Sequence, residues 1–146
     1  MIDFSADNNF SWSAKKQQIR YIQELMDSPR GKISILHELG HAIAGHNSYN
    51  YDIELLSMEV SAWQIAKELS ENYDVIISTD YIENCLDSYR DWMHLRSTCV
   101  RCSAVSIQNT RSSYKCLNCE QEWLVSDSRL CRPYRRAVTN KTTLAI

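Results

Sequence analysis

The sequence predicts a mainly α fold with a small β appendage. Three observations carry that expectation. The 146 residues include only three Gly and two Pro, which argues against a turn-dense β fold. Residues 13–95 hold four stretches with apolar positions at 3–4 spacing. From Thr98 onward the pattern changes to short alternating runs, AVSIQ, SSYKC and EWLV, interleaved with paired cysteines.

The first stretch, SAKKQQIRYIQELMD at 13–27, places Ile19, Ile22 and Met26 at helical spacing, and Ser28-Pro29-Arg30-Gly31 is expected to end that helix. A second helix is expected from about Lys32–Ile35 to about Gly45–Asn47, where Gly and Asn are natural terminators. A third covers about 54–72. After the apolar segment Val75–Ile77, Thr79 or Asp80 reads as the N-cap of a fourth, which runs to about residue 95. This divides the chain into a helical domain at 1–95, a β unit at 96–130 and an aperiodic basic tail at 131–146.

Composition narrows the setting. No apolar run approaches the length needed to cross a membrane, so no membrane partner is expected. The start, MIDFSADNNF, lacks the basic and apolar segments of a secretory signal, and a cytoplasmic location follows as the expectation. There thiols stay reduced, and Cys-x-x-Cys pairs favour metal over disulfides. The net charge of −2 hides an asymmetry: seven Lys/Arg against fifteen Asp/Glu in 1–94, nine against three in 95–146. An acidic half and a basic half with different tasks is one reading, and chance clustering of solvated charge is the other.

The second predicted helix carries the most specific motif, His37-Glu38-Leu39-Gly40-His41. Residues i and i+4 share one helical face, so both imidazoles can reach one metal ion. Glu38 is offset by one position and falls beside the metal, where a carboxylate can take a proton from water. Zinc with three protein ligands keeps a position open for that water and lowers its pKa to about 7. Gly40 in mid-helix costs about 1 kcal/mol against Ala, which signals close approach by another group.

Two histidines need a third ligand. His46 follows His41 by five positions, whereas the common three-histidine pattern requires six with an intervening Gly, and Ala44 stands where that Gly belongs. His46 is therefore expected at the helix end, touching a ligand or capping, with direct ligation the alternative. Glu59 is the favoured third ligand. It lies in a stripe of Leu55, Glu59, Ala62, Ala66 and Leu69 on the next helix, where two alanines allow close packing. A carboxylate on an apolar face needs a partner, and zinc is one.

HELGHAIAGH followed by MEVSAWQIA resembles the gluzincin metallopeptidases, the ImmA/IrrE-like and minimal ones above all, which pair H-E-x-x-H with E-x-x-A on a downstream helix. The resemblance covers residues 32–72. It implies a reduced zincin-like domain, zinc held by His37, His41 and Glu59, Glu38 as general base, and a protein or peptide substrate. Such peptidases place a sheet before the metal helix whose edge holds the substrate. Here that edge is absent, reduced to a short strand, or supplied by a segment such as Val75–Ile77.

Cys99-Val-Arg-Cys102 and Cys116-Leu-Asn-Cys119 form two knuckles separated by thirteen residues, the spacing of a structural four-thiolate zinc site. A closed metal site substitutes for the core that some thirty residues cannot build. Two zinc ions, one catalytic and one structural, are thus expected. Cys85 reads as a buried thiol, Cys131 as a free one, and His94 has no assigned role. The second motif looks like a zinc ribbon, and a ribbon after an H-E-x-x-H domain is similar in architecture to SprT-like proteases. Arg96, Arg101, Arg111, Lys115, Arg129, Arg132, Arg135 and Arg136, interleaved with Tyr114, Trp123 and Tyr134, make nucleic acid a candidate partner of region 96–136. The competing reading is a zinc-stabilised interaction module whose HELGH site is inactive or latent.

Overall fold

The computed structural model describes residues 1–129 and 131–139. Its elements run β1 (Asp3–Ala6), β2 (Ser11–Ser13), β3 (Gln18–Tyr21), α1 (Pro29–Ile43), α2 (Asp52–Ser70), α3 (Thr79–Ser97), β4 (Ile107–Thr110), β5 (Ser113–Lys115), β6 (Glu122–Val125) and β7 (Arg135–Ala137), with a 3-10 turn at Gln23–Leu25. Among the described residues, three helices and two sheets make this a mixed α/β chain, which overturns the mainly α expectation. Low Gly and Pro content misleads because several turns are made without them. Gln17, Asp74, Ser103 and Glu120 all take positive φ, between 51° and 64°.

The chain divides into two compact units, residues 1–49 with 53–87, and residues 50–52 with the chain from 88 onward. Among the described residues no helix is long and apolar enough to cross a membrane.

In the first unit, the segment expected as a helix at 13–27 instead forms the end of β2, a turn, β3 and the 3-10 turn. The sheet order is β1-β3-β2, with β1 parallel and β2 antiparallel to β3, so β2 lies on an edge. Trp12 pairs with Ile19 and Phe4 pairs with Ile19 from the other side, and Ile19 is fully buried. A β-branched residue flanked by two aromatic partners favours the pleated surface, and this outweighs the helix propensity of the Ala-Lys-Lys-Gln-Gln run.

Ser28-Pro29 starts a helix where a stop was expected. The Ser28 hydroxyl accepts from the Gly31 N–H at 3.0 Å and Pro29 occupies the first turn of α1, where its missing N–H costs nothing. At the other end Gly45, at φ 68°, reverses the chain. Its N–H bonds the Ala42 carbonyl at 3.1 Å and the His46 N–H bonds the His41 carbonyl at 3.0 Å, a Schellman closure.

The core of this unit joins Leu36 of α1, Trp63 and Ala66 of α2, and Ile77, Ile82 and Leu86. Each large apolar side chain buried there contributes about 1.5–3 kcal/mol. Gly40 sets how closely α1 and α2 approach, since a Cβ at that position would meet the Ala62 carbonyl oxygen at 2.3 Å. Val75–Ile77, a candidate edge in the sequence, forms no strand.

The second unit is an antiparallel meander, β4-β5-β6-β7. The basic segment expected as a tail contributes β7, which pairs Arg135, Arg136 and Ala137 with Val125, Leu124 and Trp123. Residues 140–146 lie outside the described residues. Tyr114 and Trp123 stack with centroids 5.6 Å apart above Cys99, Cys116 and Val125. Beside them sits a buried ion pair. Arg96 donates to Asp52 through Nε at 2.6 Å and Nη2 at 3.1 Å, and both residues are at most 2% exposed. Asp52 also accepts from the Tyr114 hydroxyl and from Gln108 Nε2, while Arg96 donates onward to the carbonyls of Arg111 and Ser126. Burial, then the Asp52 carboxylate, pushes the Tyr114 hydroxyl above its ordinary pKa, so it remains a donor. With every polar group satisfied, the pair tolerates its burial.

Two stability measurements check these contacts by urea denaturation. Gly40→Ala is expected to cost about 1–3 kcal/mol, because the methyl group must displace backbone; an unchanged midpoint would mean the two helices have room to part. Asp52→Ala strands the Arg96 charge inside and is expected to cost about 3–5 kcal/mol. A cost under about 1 kcal/mol would show that water reaches the guanidinium.

Candidate metal centres

Within the first unit, helix geometry brings His37 and His41 onto one face of α1, and the Gly40–Ala62 approach carries Glu59 of α2 to them. The two Nε2 atoms stand 3.1 Å apart. Glu59 Oε2 is 3.2 Å from His37 Nε2, and Glu59 Oε1 is 3.5 Å from His41 Nε2. Ligand atoms arranged tetrahedrally about 2.0–2.1 Å from a zinc ion stand about 3.3 Å from one another. The spacing therefore fits a shared ion. Glu59 is only 5% exposed, and its Oε2 faces His37 Nε2 at 3.2 Å without hydrogen-bond geometry, a buried carboxylate oxygen that a cation would satisfy. Burial raises the Glu59 carboxyl, but the two imidazoles facing it outweigh burial and bring it down to about 2.

Glu38 points elsewhere, as its offset by one position requires. Its Oε2 accepts from the backbone N–H of Trp12 at 2.7 Å. Trp12 and Ile19 are opposed across β2 and β3, so this N–H comes from the outer edge of β2 and aims that edge at the carboxylate. Burial, countered by His37 and His41, leaves the Glu38 carboxyl above its ordinary pKa. A raised carboxyl holds and releases protons closer to neutrality than a surface glutamate does.

His46 is not part of the converging set, which comprises His37, His41 and Glu59. Its Nδ1 lies 2.8 Å from His41 Nδ1, on the side of that ring away from Glu59's partner nitrogen. Three contacts were missed in the sequence. The Trp63 ring stacks on His37 with centroids 4.0 Å apart. Trp12 Nε1 donates to the His46 carbonyl at 2.8 Å, and Ser61 Oγ lies 2.9 Å from His46 Nε2. Trp63 follows Glu59 by four positions, a spacing that could have flagged it. Nothing local signals Trp12, which arrives through strand pairing.

In the second unit the four cysteines of the two knuckles come together. Cys99 and Cys119 place their sulfurs 3.6 Å apart, Cys102 and Cys116 3.5 Å apart, and none forms a disulfide. Four thiolates about 2.3 Å from one zinc ion are separated by about 3.8 Å, so the set can hold a metal ion. The knuckles are built alike. Arg101 and Asn118 each donate a backbone N–H to the sulfur two residues back, both at 3.4 Å. Ser103 and Glu120 each take positive φ and bond the carbonyls of Cys99 and Cys116, both at 3.1 Å. The Arg101 and Asn118 N–H groups stabilise thiolate charge, and the turns at Ser103 and Glu120 aim each pair at one point.

The basic and aromatic residues of this unit are dispersed. Arg96, Tyr114 and Trp123 are buried. Arg129 lies over Tyr89 at 3.6 Å and Arg135 donates to the Thr98 carbonyl. Arg101, Arg111, Lys115, Arg132, Tyr134 and Arg136 remain exposed. Cys85 is partly buried and Cys131 exposed, with Ser128 Oγ 3.0 Å from its sulfur.

No family model, no curated protein and no solved structure matches this chain.

Elemental analysis of the purified chain is expected to return two metal ions per molecule, falling to one in His37→Ala/His41→Ala. A wild-type value of one would sink the two-site reading.

Proposed function

We propose that the chain is a zinc-dependent metallopeptidase that hydrolyses peptide bonds of protein or peptide substrates, with a second zinc ion holding the four-cysteine unit together. The observation that carries this reading is the placement of Glu38. A purely structural site uses His37, His41 and Glu59 but gains nothing from a further, partly buried carboxylate beside them. The resemblance of HELGH and Glu59-Val60-Ser61-Ala62 to the gluzincin motifs supports the same reading.

A zinc ion held by His37, His41 and Glu59 supplies Lewis acidity, acidifying water and polarising a carbonyl oxygen. The chain's own residues do the rest. Glu38, fixed through Oε2 by the Trp12 N–H, takes the water proton on Oε1 and passes it to the leaving amide nitrogen. The Trp12 N–H of β2 is taken by Glu38, so that strand serves to seat the base.

The interaction-module reading draws on the same basic region, but Arg96, Tyr114 and Trp123 are turned inward and leave Tyr134 as the exposed ring among that set. Fewer groups then remain to stack bases or neutralise phosphates.

Cleavage of an unfolded protein or a peptide library by wild type beside Glu38→Gln tests the proposal. Glu38→Gln is expected to retain both zinc ions and to lose turnover by roughly 10²–10⁴-fold. Equal cleavage by both proteins would remove Glu38 as the base, and no cleavage by either would favour the interaction module.

A further inference from the structure

His41 and His37 face the same point but are held there by different means. His37 Nδ1 is buried without a hydrogen bond, and its ring is steadied by stacking on Trp63. His41 Nδ1 instead ends a chain of polar contacts. It lies 2.8 Å from His46 Nδ1, His46 Nε2 lies 2.9 Å from Ser61 Oγ, and Ser61 Oγ donates to the Met58 carbonyl at 3.1 Å.

The direction of this chain can be worked out from its far end. A hydroxyl carries one proton, and Ser61 spends it on Met58. Toward His46, Ser61 can only accept, so His46 carries its proton on Nε2 and presents a bare Nδ1. That nitrogen accepts, and His41 must therefore be protonated on Nδ1. A neutral imidazole with its proton on Nδ1 has its lone pair on Nε2, the atom that faces His37 and Glu59.

The geometry depends on how α1 ends. Continued helix would carry residue 46 about 100° further round per residue and away from His41. The left-handed turn at Gly45 folds the chain back, and the His46 N–H bonds the His41 carbonyl. Trp12 Nε1 then ties down the His46 carbonyl at 2.8 Å. Backbone and ring are both fixed.

We infer that His46, seated by the Gly45 turn and by Ser61, is a positioning residue that locks His41 in its metal-binding tautomer and so sets the affinity of the His37–His41–Glu59 site. This rests on the metal-site reading above. It goes further in assigning His46 an acceptor's role toward His41 and none toward the ion, and in giving Ser61 a function.

The test is zinc competition with a chromophoric chelator on the intact chain, scoring the ion that depends on His37 and His41. His46→Leu is expected to weaken that ion's binding about 10–100-fold, the usual effect of removing a partner of a metal ligand. His46→Asn, whose amide oxygen can accept from His41, should recover most of the loss. Ser61→Ala, which leaves His46 free to shift to the tautomer protonated on Nδ1, should fall between. In the wild-type protein loaded with ¹¹³Cd and labelled with ¹⁵N, a proton on His41 Nδ1 and cadmium coupling to His41 Nε2 are expected, with no coupling to either His46 nitrogen. That spectrum needs no variant to fold. Wild-type affinity in His46→Leu, or cadmium coupling to His46, would overturn the inference while leaving the metal site standing. A wild-type chain with no ion dependent on His37 and His41 would overturn the metal-site reading itself, and this inference with it.

Discussion

The close approach of α1 to α2 at Gly40 governs the chemistry of the first unit. No side chain larger than hydrogen fits there, since the Ala62 carbonyl occupies the space a Cβ would need. The consequence lies on the residues around it. His37 and His41 bracket Gly40, and Glu59 lies one turn before Ala62. Only with the backbones this close does a glutamate reach two imidazoles on the neighbouring helix and still keep its own carbon stem within the packed face. Ala62 and Ala66, both fully buried, continue the seam, and Trp63 fills the adjoining volume against Leu36 and the ring of His37. A glycine that lowers helix propensity by about 1 kcal/mol is thus offset by what its absence of a side chain brings together.

The two cysteine knuckles solve a related problem by different means. Thiolates repel one another, and in a unit this small little apolar surface is available to hold them. Backbone N–H groups are recruited in their place, in the same pattern twice, and the turn after each second cysteine passes through a left-handed residue that is not glycine. Such residues cost of order 1 kcal/mol each in an unconstrained chain. They persist when the surrounding structure over-determines them, here through the paired carbonyl bonds of Ser103 and Glu120, and an ion at the centre would add to that constraint. On the same unit Asp52 and Arg96 supply polar interior structure that a larger domain would build from hydrocarbon.

How much of this was readable from the residues alone follows from sequence distance. His37 and His41 are linked by the 3.6 period, Glu59 by a stripe on one helix, and each cysteine pair by a three-residue step, so local rules reach all of them. The ends of the three helices lie within a few residues of the expected positions wherever a cap marks them, except that Ser28-Pro29 reads in sequence as a stop and begins α1. What escaped was long-range or disguised. The first sheet depends on Phe4 and Trp12 meeting Ile19, and no glycine marks its turn at Gln17. Asp52 and Arg96 are 44 positions apart, and an arginine one residue in from a helix end reads as surface charge until a buried carboxylate is found for it. β7 lies in a segment without hydrophobic alternation, and is paired by its backbone.

Trp12 shows what the first 31 residues contribute beyond packing. A tryptophan has two N–H donors some distance apart, one on the backbone and one on the indole. Here both are spent on α1 and its exit: one on the Glu38 carboxylate, the other on the His46 carbonyl. The strand thereby holds two groups that lie on opposite sides of His41 in sequence, the base before Gly40 and the ring that backs His41 after it. A substitution at Trp12 that spares the backbone would release only the His46 side, whereas a proline there would remove the donor to Glu38 as well. The same short strand therefore reaches both the proton-carrying carboxylate and the support of a ligand. An edge strand of three residues contributes little as a sheet, and its two N–H bonds give it a place in the site.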